Sequence, residues 1–181
     1  MSHFEPPIHW ADHEDIAMKL YERFGDDFTE AKIYRIRFTD LLEWILETHI
    51  HADHLTASHY IKEKIGGKIA IGSRITQVLN FWVPLFDTHD DTPVDASQFD
   101  KIFEDNESFK LGHVDIKVLH TPGHTPACAC YLIEDAIFTG DTLFMPDIGT
   151  ARTDFPGGSP EIQYNSIMRI FDLPDATRIF I

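Results

Sequence analysis

The chain of 181 residues has room for one domain with a substantial core, and 43% hydrophobic with 25% charged residues excludes an unstructured polar chain. No apolar run approaches the roughly 18 residues of a membrane-spanning helix. With 15 basic against 30 acidic residues the net charge is −15, and that field opposes non-specific contact with nucleic acid or anionic lipid, which disfavours a nuclease.

The N-terminus, Met1 to Pro7, has no basic segment leading into an apolar one, so no signal peptide and a cytoplasmic setting are expected. Asp12-His13-Glu14-Asp15 precedes a helical pattern with Ile16, Leu20 and Phe24 on one face and Gly25 at its close. The acidic cluster reads as favourable charge at a helix N-terminus. Residues 32–38 alternate as a half-buried strand. A strand at about 43–48 runs straight into His49. Leu55 to Ile65 reads as a helix stopped by Gly66-Gly67, and Lys68 to Ile71 as a short strand. Ser73 is expected to cap a helix that runs to about Phe81.

Residues 87–98, with Asp87, His89, Asp90, Asp91 and Asp95, read as an acidic surface loop, since their spacing is irregular. Strands are expected at 99–103, 108–111 and 113–119. Ala129–Ile133 and Ala136–Thr139 follow as strands around a Glu134-Asp135 turn. A helix at about 161–171 and a strand Arg178–Ile181 complete the chain. Strands mixed with short helices indicate an α/β sandwich with a mixed sheet. Cys128 and Cys130 are too close in sequence for an easy bridge and read as free thiols of a reducing compartment.

Three of these strands end in side chains that bind metals. The block His49-Ile50-His51-Ala52-Asp53-His54 holds four candidate ligands in six positions. Extended spacing puts His49, His51 and Asp53 on one side, while His54 begins a helix. Thr121-Pro122-Gly123-His124-Thr125 projects His124 from a tight turn, and Gly140 lets the backbone bend before Asp141. Ligands in loops on one rim of a rigid sheet hold a metal in fixed geometry.

These blocks, in this order, resemble the metallo-β-lactamase superfamily, whose hallmark is the H-x-H-x-D-H loop. The resemblance is strongest over residues 43–181. It implies an αββα sandwich, incomplete at both ends, with a metal at one edge of two sheets. Residues 1–31 form an atypical N-terminal helical segment, and 32–181 the family-like domain. Within the superfamily, Thr121 to Pro126, Phe138 to Asp141, Gly140 to Pro146 and Arg152-Thr153-Asp154-Phe155 look like the persulfide dioxygenases.

That branch implies a single Fe(II) held by His49, His124 and Asp141, and oxidation of glutathione persulfide by O2 to sulfite and glutathione. His51, Asp53 and His54 would orient ligands and water, or hold a second metal. Arg152 would meet a glutathione carboxylate. The family also carries a histidine beyond a strand like Arg178–Ile181, at a position past Ile181, so the resemblance implies that the three iron ligands are kept and a two-metal set is not. The alternatives are a Zn-dependent glyoxalase II-like thioester or lactam hydrolase, and an inactive metal-binding paralogue. Neither nucleic acid nor membrane is an expected partner, and a homodimer is compatible with this reading.

Overall fold

The computed structural model describes residues 43–50 and 56–181. The helix expected near 16–24, the strand 32–38 and the side chains of His51, Asp53 and His54 lie outside these. The described elements are β1 (Trp44–Leu46), α1 (Ser58–Ile65), β2 (Lys68–Gly72), α2 (Ile75–Phe86), β3 (Lys101–Phe103), β4 (Ser108–Leu111), β5 (Val114–His120), β6 (Ala129–Ile133), β7 (Ala136–Phe138), a 3-10 turn (Gly140–Thr142), α3 (Pro160–Phe171) and β8 (Arg178–Phe180).

They build two sheets. β1, β2 and β3 pair in parallel, in that order. A strand central to a parallel sheet is covered on both faces, and the buried run Ile69-Ala70-Ile71 of β2 suits that place. The second sheet runs β4-β5-β6-β7-β8. Its first four strands form an antiparallel meander, in which the β5–β6 connection is the loop that carries His124. The last joins β7 in parallel, which needs a crossover, and α3 lies in that connection.

Alternation along the strands sorts side chains into three layers of core. Ile71 packs against Ile75, Val78, Leu79 and Val83 of α2. Ala70 and Phe103 meet Ile116, Val118, Ala129 and Tyr131 between the sheets. Leu119, Cys130 and Ile137 pack on Ile170 of α3. The order is helix, sheet, sheet, helix, an αββα sandwich. Each large side chain taken wholly out of water here contributes about 1.5–3 kcal/mol.

Two local expectations shift. Helix α2 continues past Phe81 to Phe86 with Pro84 inside it. Proline removes one helical hydrogen bond, yet the apolar face through Val83 packs on the sheet and carries the helix on. Asp87 then ends it in a left-handed conformation, its N–H donating to the Val83 carbonyl. Ser73 does not cap α2. Its hydroxyl donates to Glu104 across the β2–β3 edge, 2.8 Å away. Helix α1 ends at Gly66 as expected, with φ +83. No helix among the described residues is long and apolar enough to cross a membrane.

Candidate metal centre

Strand direction brings the ligand loops together. β5 and β7 both run antiparallel to β6, so their C-terminal ends share one rim. The Ala129 N–H at the start of β6 donates to the Thr48 carbonyl, which ties the end of β1 to that same rim. The Tyr131 hydroxyl donates to the Glu47 carbonyl at 2.7 Å, a second tie between the sheets. His49, His124 and Asp141 leave these three strand ends. Their ligand atoms lie within 4.8 Å of one another. Asp141 Oδ2 is 3.3 Å from His124 Nε2 and 3.7 Å from His49 Nε2.

Both imidazoles are buried, while Asp141 is 30% exposed and opens the group to solvent. His124 Nδ1 donates to the Arg152 carbonyl at 2.7 Å. A carbonyl only accepts, so Nδ1 carries a hydrogen and the ring is held with Nε2 toward Asp141. His49 Nδ1 pairs with the Thr48 hydroxyl at 3.1 Å, and its Nε2 likewise faces Asp141. Imidazoles oriented through their outer nitrogens around a carboxylate are a donor set that fits a transition-metal ion.

Close approach fixes the loops. Gly140 has φ +48, and a Cβ there would lie 2.6 Å from the Thr48 hydroxyl, so the first and third loops touch where only glycine fits. The second and third loops meet through the Thr121 and Thr142 hydroxyls, 2.8 Å apart in the core. The Phe155 ring stands edge-on to His124 at 5.8 Å.

Arg152 lies beside this group. Its guanidinium forms a two-pronged pair with Asp154, at 2.6 and 2.7 Å, and lies over the Phe155 ring. That pairing holds the Asp154 carboxyl down at about 2. Sequence reasoning singled out the Arg152 side chain, whereas its backbone carbonyl is what orients His124. Sequence reasoning also passed over Thr48, Thr121, Thr142 and Gln163. Gln163, Ser166 and Ile170 share one helical face, and the burial of the two polar ones is visible only in the structure.

Cys128 and Cys130 are free and buried, and burial pushes the Cys128 thiol up to about 11. Both therefore read as packing groups, not nucleophiles. Residues 87–98 form turns, and among the described residues no second ligand group gathers there.

The model of the metallo-β-lactamase superfamily matches residues 41–180. The chain belongs to this superfamily. A second model, iron–sulphur cluster assembly, matches residues 8–65 and overlaps the first from 41 onward. The segment 1–31, set apart by its sequence, falls largely within that second match.

Among superfamily relatives, a probable metallo-hydrolase of Burkholderia pseudomallei is 46% identical over 77% of this chain and 51% of its own length. The hydroxyacylglutathione hydrolase GloC of Haemophilus influenzae is 36% identical over 87% of this chain and 74% of its own. The human mitochondrial persulfide dioxygenase ETHE1 is 30% identical over 77% and 48% respectively. The crystal structure of ETHE1 from Myxococcus xanthus superposes with a TM-score of 0.60 at 28% identity, covering 92% of this chain and 60% of that one. The chain spans about half the length of several curated relatives it matches.

Proposed function

We propose that this chain forms the metal site of a persulfide dioxygenase, in which His49, His124 and Asp141 hold one Fe(II). The observation that carries this reading is the donor set: two imidazoles and one carboxylate, with ligand atoms within 4.8 Å. That set matches the facial arrangement of non-haem iron oxygenases. Iron bound there would offer open positions at which O2 and a persulfide sulfur meet. The overall change balances as GSSH + O2 + H2O giving GSH, sulfite and two protons. Likeness to two ETHE1 proteins, one by sequence and one by structure, supports it.

The chain's own residues divide the work. The Arg152 carbonyl holds the His124 ring with Nε2 inward. The Thr48 hydroxyl does the same for His49. The exposed edge of Asp141 faces the side from which a substrate arrives. His51, Asp53 and His54 follow directly on His49 and orient water and ligands in this reading. The Arg152 guanidinium, shared with Asp154, meets a glutathione carboxylate at the mouth.

A second reading is a zinc hydrolase acting on a glutathione thioester. The hydrolase names of the Burkholderia and Haemophilus relatives favour it. There His51, Asp53 and His54 would help hold a second ion. Metal analysis of the purified chain beside two assays separates the readings. About one iron per chain with persulfide-dependent O2 uptake supports the dioxygenase. Zinc with thioester cleavage and no O2 uptake replaces it with the hydrolase.

A further inference from the structure

Helix α3 is polar where it meets the His124 loop. The Ser159 N–H donates to the Gly123 carbonyl at 2.8 Å. Gln163 Oε1 accepts from the His124 N–H at 2.8 Å. The Ser166 hydroxyl donates to the Pro122 carbonyl at 2.6 Å, and Arg169 donates to the His120 carbonyl at 2.9 Å. Positions 159, 163, 166 and 169 follow helical spacing, so one stripe holds the backbone of residues 120–124.

Only one member of the stripe also reaches the Asp141 loop. Gln163 Nε2 donates to the Thr142 carbonyl at 2.9 Å and to the Thr150 hydroxyl at 2.7 Å, with the Asp141 carbonyl at 3.5 Å. The Thr150 hydroxyl in turn donates to the Thr142 carbonyl. The partners fix the amide's orientation, because the His124 N–H must donate and the Thr142 carbonyl must accept. Gln163 is 2% exposed, so its carboxamide is cut off from water that could replace these bonds. Gly123 makes the contact possible: a Cβ there would lie 2.3 Å from the Gln163 Cα.

We propose that Gln163 is a positioning residue of the metal centre, setting the spacing between His124 and Asp141 through their backbones without touching the metal. The proposal rests on the reading of His49, His124 and Asp141 as ligands. Carboxamide chemistry is required at this place. A methionine of similar reach leaves the His124 N–H and the Thr142 carbonyl unpaired. A glutamate keeps the acceptor but turns the donor into an anion against carbonyl oxygen and near Asp141.

The test uses the full chain as Gln163→Met, Gln163→Glu and Ile170→Val. The last loosens the same helix through its apolar contacts with Leu119, Cys130 and Ile137 and leaves the polar stripe alone. Three quantities are read: Co(II) and Fe(II) affinity by chelator competition, the Co(II) absorption spectrum, and the melting temperature without metal. Both Gln163 variants are expected to bind metal about 10–100-fold more weakly, with a changed Co(II) spectrum. Ile170→Val is expected to melt lower with affinity and spectrum unchanged. Equal affinity and an identical spectrum in the Gln163 variants overturn the proposal. So does an equal loss of affinity in Ile170→Val, which would make Gln163 one stability contact among others. If Gln163→Met does not fold, Gln163→Glu decides. If neither folds, Gln163 is a structural residue and the proposal is wrong. Failure of the unaltered chain to bind either metal would overturn the ligand reading itself, a result separate from these.

Discussion

The ring Nδ1 of His124 stands 2.7 Å from the backbone carbonyl oxygen of Arg152. The two residues are 28 positions apart in the chain, so the contact is a product of the fold. It uses the peptide group and not the guanidinium, which is engaged with Asp154. The two functions of residue 152 are therefore separable by mutation.

Arg152→Ala keeps the carbonyl and removes the cation. Metal stoichiometry should stay unchanged, and stability should barely change, as for an exposed ion pair. The KM for an anionic glutathione substrate should rise by about two- to five-fold, the equivalent of one such contact. Metal analysis and steady-state kinetics check this. A loss of bound metal would show that the side chain, and not the carbonyl, orients His124.

His124→Ala removes one of the three proposed donors, and Asp141→Asn replaces the anionic donor by a neutral, weaker one. For the unaltered chain, Fe(II) at about 100 times its Kd should add about 2.7 kcal/mol of apparent stability. Both variants should lose nearly all of that gain in thermal melts with and without metal. Undiminished stabilisation of either variant would take that residue out of the ligand set.

Gly140→Ala places a Cβ 2.6 Å from the Thr48 hydroxyl at φ +48. The left-handed backbone alone costs about 1–2 kcal/mol for a residue with a side chain. The clash adds to this and pushes Asp141 away from His49. A lower urea midpoint and weaker metal binding should appear together. Retention of both would mean that the two loops are not in contact in solution.

Asp105 links β5 to α3. Burial works against its ionisation, yet the hydrogen bond from Arg169 and the His120 N–H together hold its carboxyl below the ordinary range. A depressed folded value means that the native state favours the ionised form. The stabilisation is fully present above the unfolded value and fades as pH falls through the folded one. Asp105→Asn should therefore be less stable at neutral pH, by a few tenths to about 1 kcal/mol, since the pair is partly exposed. The difference should vanish in strong acid. Urea midpoints from pH 7 downward measure it, and a gap that widens toward low pH would contradict the assignment.

The ligand loops were legible because each needs only a strand followed by a turn, and those signals are local. His49, His124 and Asp141 converge as expected. The division of the eight described strands into sheets of three and five was not legible, since the strands' order in the sequence does not fix their partners. Nor was the continuation of α2 through Pro84, where packing of Val83 outweighs a lost hydrogen bond. Ser73 looked like a cap and instead bonds Glu104, 31 residues away. Gln163 was least visible: the helix was expected at about 161–171, but its partners lie 39 and 21 residues back along the chain. With Ser166 and Arg169 at helical spacing from it, a glutamine there announces no particular partner.

The uneven exposure of the three donors has a kinetic consequence. His49 and His124 are sealed in, and Asp141 alone reaches solvent. A divalent ion arriving from water meets the carboxylate first and the imidazoles afterwards, and departs in the opposite sequence. The net charge of −15 enriches such ions around the chain, so capture quickens in dilute buffer and slows as counter-ions screen the field. Escape would depend on releasing the ion from two buried imidazoles and would respond far less to salt. Ionic strength would thus govern how fast the centre fills, and the interior how long it stays filled.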